Sequence, residues 1–186
     1  NQVIENESRV NQMEREIDHD ITSTIARRQP TARDLRFLMA ISRTTSNLER
    51  AGDEVAKVAR MVKSIIENGS PRSLPIAELR VAADLAANLM RKSLDAFARL
   101  DTTMAIEIIK GDDAVDVEYD GFLRKLITYM MEDPRKIGPS LDLLFLAKAI
   151  ERVGDHAKNI AEFIIYIVKG EDVRHTPMAT VERLAQ

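Results

Sequence analysis

The chain has 186 residues, no cysteine, no tryptophan and 31% charged side chains, and its 27 Lys+Arg against 30 Asp+Glu leave a formal charge of −3. Missing thiols exclude disulfides, thiolate zinc sites and thiol nucleophiles and fit a reducing compartment, while the near-neutral balance argues against nucleic-acid binding carried by bulk charge. Apolar runs such as Phe163–Val168 fall far short of the ~20 residues of a membrane span, and no basic-then-apolar leader opens the chain, so a soluble intracellular protein is expected.

Seven glycines and six prolines punctuate long helical periodicity. Val3, Val10, Met13, Ile17 and Ile21 recur near a heptad spacing and predict a helix to Arg28, broken at Gln29-Pro30. Thr31 with Asp34 predicts the capped start of a second helix, running through Leu38, Leu48, Val55 and Met61 to about Glu67. Asn68 to Pro75 reads as the one clear linker. A third helix is predicted over Ile76–Leu100 and a fourth over Thr102–Met131. Asp133-Pro134 and Gly138-Pro139 then mark a turn, and a last helix spans about Leu141–Lys169, ending at Gly170. No segment sustains strand alternation, so the expected fold class is all-α, a bundle of long helices. Met39, Met130 and Met131 read as core filler.

An internal repeat sharpens this picture. Glu49-Arg50-Ala51-Gly52-Asp53 returns as Glu151-Arg152-Val153-Gly154-Asp155, 102 residues later, and Val10–Glu14 has a weaker echo in Val115–Tyr119. Each half thus holds an acidic helix, a proline turn and a helix bearing E-R-x-G-D. The predicted division is a first repeat at 1–68, a linker at 69–75, a second repeat at 76–170 and a C-terminal tail at 171–186. The helix at 76–100 has no counterpart in the first half. The chain also opens on Asn1 rather than Met, so a longer native product carrying one more helix before Asn1 is expected. Without that helix, an apolar groove in the first half would be prone to covering by a neighbouring chain.

The repeated motif places like charges one turn apart: Glu49 with Asp53 and Glu151 with Asp155. Such pairs cost a helix a few tenths of a kcal/mol, and a bound cation is one cause for having them twice. The acidic helices supply facing oxygens, Glu7 and Asn11 in the first half and Asp112 and Asp116 in the second. All-oxygen ligation suits Mg²⁺, Mn²⁺, Ca²⁺ or a hard form of iron. Glycine beside each Asp costs ~1 kcal/mol of propensity relative to Ala, which a close neighbouring element would explain. The alternative is structural ion pairing: Lys57 lies at i+4 from Asp53, and Arg50 or Arg152 can reach acids across helices. Asn159 stands where Lys57 does, so the second pair is the less self-neutralised. Glu16 and His19 form an E-x-x-H without a counterpart at Gly121–Arg124, against a di-iron oxidase. Arg27-Arg28 could bind phosphate, but two arginines at a helix end are more often a complement to its dipole. No phosphate loop, dinucleotide-binding glycine pattern or nucleophile elbow occurs, so no enzymatic activity is expected.

The paired E-R-x-G-D helices, the stretch Arg28-Gln29-Pro30-Thr31-Ala32-Arg33-Asp34-Leu35-Arg36 and the run Ile150–Glu162 resemble the PhoU family of phosphate-uptake regulators over essentially the whole chain. The resemblance implies two tandem three-helix bundles, the first lacking its first helix here. It also implies metal ions, Mg, Mn, Fe or Zn and in some members multinuclear clusters, on E(D)-x-x-x-D motifs. Carried over, these are Glu49 and Asp53, Glu151 and Asp155, and Asp112 and Asp116. Glu7 and Asn11 form the remaining pair, where the amide lowers the charge. It further implies a cytoplasmic homodimer that represses the phosphate-starvation response. In that role it would link the ATPase subunit of the phosphate ABC transporter to a sensor histidine kinase, peripheral to the membrane. The competing readings are a metal-dependent enzyme built on the carboxylates and a purely structural scaffold.

Overall fold

The computed structural model describes residues 2–67 and 75–185, which form six α-helices and one 3₁₀ turn, with no strand among the described residues. The expected linker at 69–75 lies, apart from Pro75, outside the described residues. The helices are α1 (Gln2–Arg28), α2 (Ala32–Glu67), α3 (Ile76–Arg99), α4 (Thr102–Glu132), α5 (Ile137–Lys169) and α6 (Met178–Ala185), and the 3₁₀ turn is Pro134–Lys136.

The punctuation works mostly as its chemistry dictates. Leu100 ends α3 in the left-handed region at φ 53°, and the Asp101 N–H returns to the Ala96 carbonyl at 2.9 Å. Asp101 then caps α4 by accepting the Met104 N–H at 2.9 Å. The same device ends α5, where Gly170 sits at φ 82° and donates to the Tyr166 carbonyl. Two expectations need correction. Thr31 starts α2 through its backbone carbonyl, which accepts the Asp34 N–H at 2.9 Å, and not through its hydroxyl. Gly138-Pro139 is no turn but lies in the first turn of α5, where proline's missing N–H has no intrahelical acceptor to lose.

α3, α4 and α5 pack into a three-helix bundle, whereas α1 and α2 form an antiparallel hairpin in which α1 packs on α2 alone. Antiparallel packing of α2 on α5 joins the halves, with Ala40 against Phe163 and Ile167, and Val58, Met61 and Ile65 against the cluster around Leu143, Leu146 and Ile150. The bundle core consists of fully buried Ile108, Val115, Leu126, Ile160, Ile164 and Ile165. The segment after Gly170 was expected only as a tail. It returns across the bundle, buries Val173 and Val181 in that core and ends in α6. Met39 and Met131 are exposed, correcting their reading as filler, while Met130 packs against the core.

Candidate functional site

Each E-R-x-G-D motif serves two interfaces at once. Its acids face the helix of their own half and its arginine faces the other half, because i and i+4 share one side and i+1 lies ~100° away. In the second half, Asp112 and Asp116 on α4 meet Glu151 and Asp155 on α5. Burial and then Glu151, Asp112 and Asp116 push the Asp155 carboxyl up from 3.8 to about 6. Burial, followed by Asp112 and Glu151, likewise raises Asp116. The expected close approach is real here. A Cβ on Gly154 would stand 3.1 Å from Asp112 Oδ1, so a side chain there would push that carboxylate by a few tenths of an ångström, while Val115 at 3.5 Å would be an ordinary contact.

Two lysines temper the cluster. Lys158 Nζ donates to Asp112 Oδ2 at 2.9 Å, and Asp112 is only 1% exposed. Lys148 Nζ donates to Glu151 Oε1 at 2.6 Å. Among the described residues no group of three or more His, Asp or Glu side chains is arranged to hold one metal ion. Yet the donor set is all oxygen, and the buried Glu151 Oε2 has no hydrogen-bond partner. These residues therefore suit a hard cation once the lysines turn aside.

The first half repeats this more loosely. Burial, then Asp53 and Glu14, raise Glu49, with a smaller contribution from Glu7. Glu7 is itself held by Arg60 at 3.3 Å, and the buried Asn11 Oδ1 has no partner. Around Gly52 the expected close approach is absent: the nearest atom to a Cβ there is Val10 Cγ1 at 3.9 Å, an ordinary contact. Lys57 pairs not with Asp53 but with Glu54, at 2.8 Å.

Glu54 is the residue the motif reading missed. It is buried between Lys57 and Arg152, whose guanidinium reaches it from α5 at 3.2 Å, so it ties the halves together. Its counterpart in the repeat is His156, which donates from Nδ1 to Asn47 Oδ1 at 3.0 Å, an oxygen that Asn159 Nδ2 also approaches at 3.1 Å. Burial and then Arg152 lower the His156 pKa, which keeps the ring neutral. Lys148 is legible at i−3 from Glu151, whereas Lys158, at i+3 from Asp155, pairs instead with Asp112 on α4. The Asn47 contact left no trace, since it joins residues 109 positions apart.

The fold and site define an all-α, carboxylate-bearing bundle protein built on a duplicated helical motif. The family model described as "PhoU domain" matches residues 1–62 and 79–164, and the chain belongs to the PhoU family. It is 47% identical, over 94% of its length, to the "Phosphate-specific transport system accessory protein PhoU homolog" of Pseudomonas putida, covering 68% of that protein. It is 44% identical, over 98% of its length, to the accessory protein PhoU of Escherichia coli, covering 75% of it. The crystal structure of PhoU from Pseudomonas aeruginosa matches with a TM-score of 0.86 at 46% identity, over 91% of this chain and 81% of that one. The regulatory protein PhoU from Streptococcus pneumoniae matches at 0.82 and 28% identity, over 92% and 80%. These relatives are named as accessory or regulatory proteins, not enzymes. Among the described residues no helix is long and apolar enough to cross a membrane.

Proposed function

We propose that this chain is a non-enzymatic accessory regulator of phosphate uptake. It would repress the phosphate-starvation response as a metal-binding adaptor between the transporter's ATPase subunit and a sensor histidine kinase, in the cytoplasm and as a homodimer. Family membership and the names of the relatives support the accessory role. The observation that carries the metal component is the convergence of Asp112, Asp116, Glu151 and Asp155 where Gly154 admits Asp112 against α5.

Four carboxylates within one another's field are unfavourable unless cations offset them. Asp112 and Glu151 are already oriented by lysines, and Asp155 and Asp116 supply the charge that remains. A bound di- or trivalent cation would neutralise the cluster and clamp α4 to α5, setting the register of the helix that also contacts the other half. Glu7, Asn11, Glu49 and Asp53 form the lesser set, one charge poorer and already drawn on by Arg60.

Asp155→Ala tests this reading. Metal analysis of the purified, helical variant should show loss of the second-half ion, and a phosphate-starvation reporter should be derepressed in cells carrying it. Lost metal with unchanged repression would make the ion structural only. Failure of the wild-type chain to capture the transporter ATPase or the kinase would remove the adaptor role.

A further inference from the structure

A cavity of about 880 Å³ opens where α2, α4 and α5 meet the returning C-terminal strap, with Asp155 of the carboxylate cluster in its wall. It is lined by six Lys or Arg against three Asp or Glu, although the whole chain is net negative. Four of the six cations are claimed by carboxylates: Lys110 by Glu182, Arg152 by Glu54, Lys158 by Asp112 and Arg174 by Asp172. Arg43 and Arg50 stand two turns apart on α2, and neither has an ion-pair partner among the described residues. Arg43 lies over the Phe163 ring at 6.0 Å, a cation–π contact that leaves its charge unneutralised.

His156 lines the same cleft, is only 7% exposed, and its Nε2 has no hydrogen-bond partner. Because Nδ1 gives its proton to Asn47, Nε2 carries a lone pair and needs a donor. Buried polar atoms without partners are costly and ask for a ligand. A guanidinium fork demands anionic oxygens, whereas the imidazole lone pair and the lining acids Asp113, Asp155 and Glu162 repel a fully deprotonated anion. One class of ligand answers both demands.

We propose that this cleft binds a phosphate-class oxyanion that keeps an O–H, either inorganic monohydrogen phosphate or a hydroxyl-bearing phosphate ester. Arg43 and Arg50 hold its charged oxygens and His156 Nε2 accepts its O–H. The cleft borders the carboxylate cluster proposed to hold metal through Asp155, but the proposed contacts use none of its carboxylates and stand without a bound ion.

Calorimetric titration of chelator-treated chain with inorganic phosphate, glycerol 3-phosphate and sulfate at matched ionic strength tests this. Saturable binding of phosphate or the ester, at least about tenfold tighter than sulfate, is expected, and the tighter of the two identifies free ion or ester as the source. Arg50→Gln and Arg43→Gln should each weaken it at least about tenfold with helicity unchanged, while Arg91→Gln, at an exposed α3 residue outside the cavity lining, leaves it intact. Should one cleft variant fail to fold, the other decides. No saturable binding, equal affinity for sulfate, or full affinity in a folded cleft variant would each overturn the proposal. Because chelation removes the metal beforehand, none of these results bears on the metal reading.

Discussion

Asp155 shows at the scale of one residue what the carboxylate cluster costs. Its pKa lies at about 6 in the fold against an ordinary 3.8, for reasons of burial and of Glu151, Asp112 and Asp116. An acid whose pKa is raised by folding binds its proton more tightly in the native state, so stability falls as pH rises from about 4 through 6. In metal-free protein, Asp155→Asn should therefore be more stable than wild type at pH 7, by on the order of 1 kcal/mol once solvent screening of this half-exposed group is allowed for. That corresponds to roughly 2–4 °C in Tm, and the advantage should vanish below about pH 4. Thermal unfolding across pH 4–7 after chelation checks it; a less stable variant at pH 7 would mean the lysines already neutralise the cluster fully. The acid pairs could be read from i, i+4 spacing alone. Lys158 on Asp112 could not, because that partnership crosses from α5 to α4.

At the scale of helices, the two motif glycines make a matched pair with opposite outcomes. Both sit inside helices, where alanine gains ~1 kcal/mol of propensity. Gly52 meets nothing closer than 3.9 Å, so Gly52→Ala should stabilise the chain by about 0.5–1 kcal/mol. Gly154→Ala should destabilise it by about 1–2 kcal/mol, since its Cβ at 3.1 Å would displace the carboxylate of buried Asp112 from its ion pair with Lys158. Denaturant melts of the two variants give the signs directly. The repeat made the two positions look alike because propensity is local. How closely α1 approaches α2, and α4 approaches α5, is a property of packing. The start of α5 shows the same limit: Pro139 looked like a breaker, but a proline in a first turn has no intrahelical hydrogen bond to lose.

Over the whole molecule the halves differ in closure. The second is a complete three-helix bundle sealed by the strap carrying Val173, whereas α1 packs on α2 alone and the hairpin leaves Met13 (55% exposed), Val55, Val62 and Ile66 (73% exposed) open. Exposed apolar rows of this kind favour association. Sedimentation of the chain should show concentration-dependent self-association, and Met13→Lys combined with Val55→Lys should weaken it at least about tenfold. A monomer at all concentrations would show that the hairpin is content in water.

The sequence by itself determined what is periodic and local: an all-α class, most helix boundaries, the duplicated E-R-x-G-D motif, and the two rows of paired acids. These follow from 3.6-residue spacing and from proline and glycine chemistry, which act within a few residues. Only the tertiary structure decided which acids are drawn to lysines and which motif glycine is crowded by a neighbouring helix. It also showed that Glu54 and Arg152 bridge the halves, and that Arg43, Arg50 and His156 share one cleft. Those outcomes depend on groups far apart in the chain being brought within 3 or 4 Å, and no spacing rule along one helix specifies its neighbour.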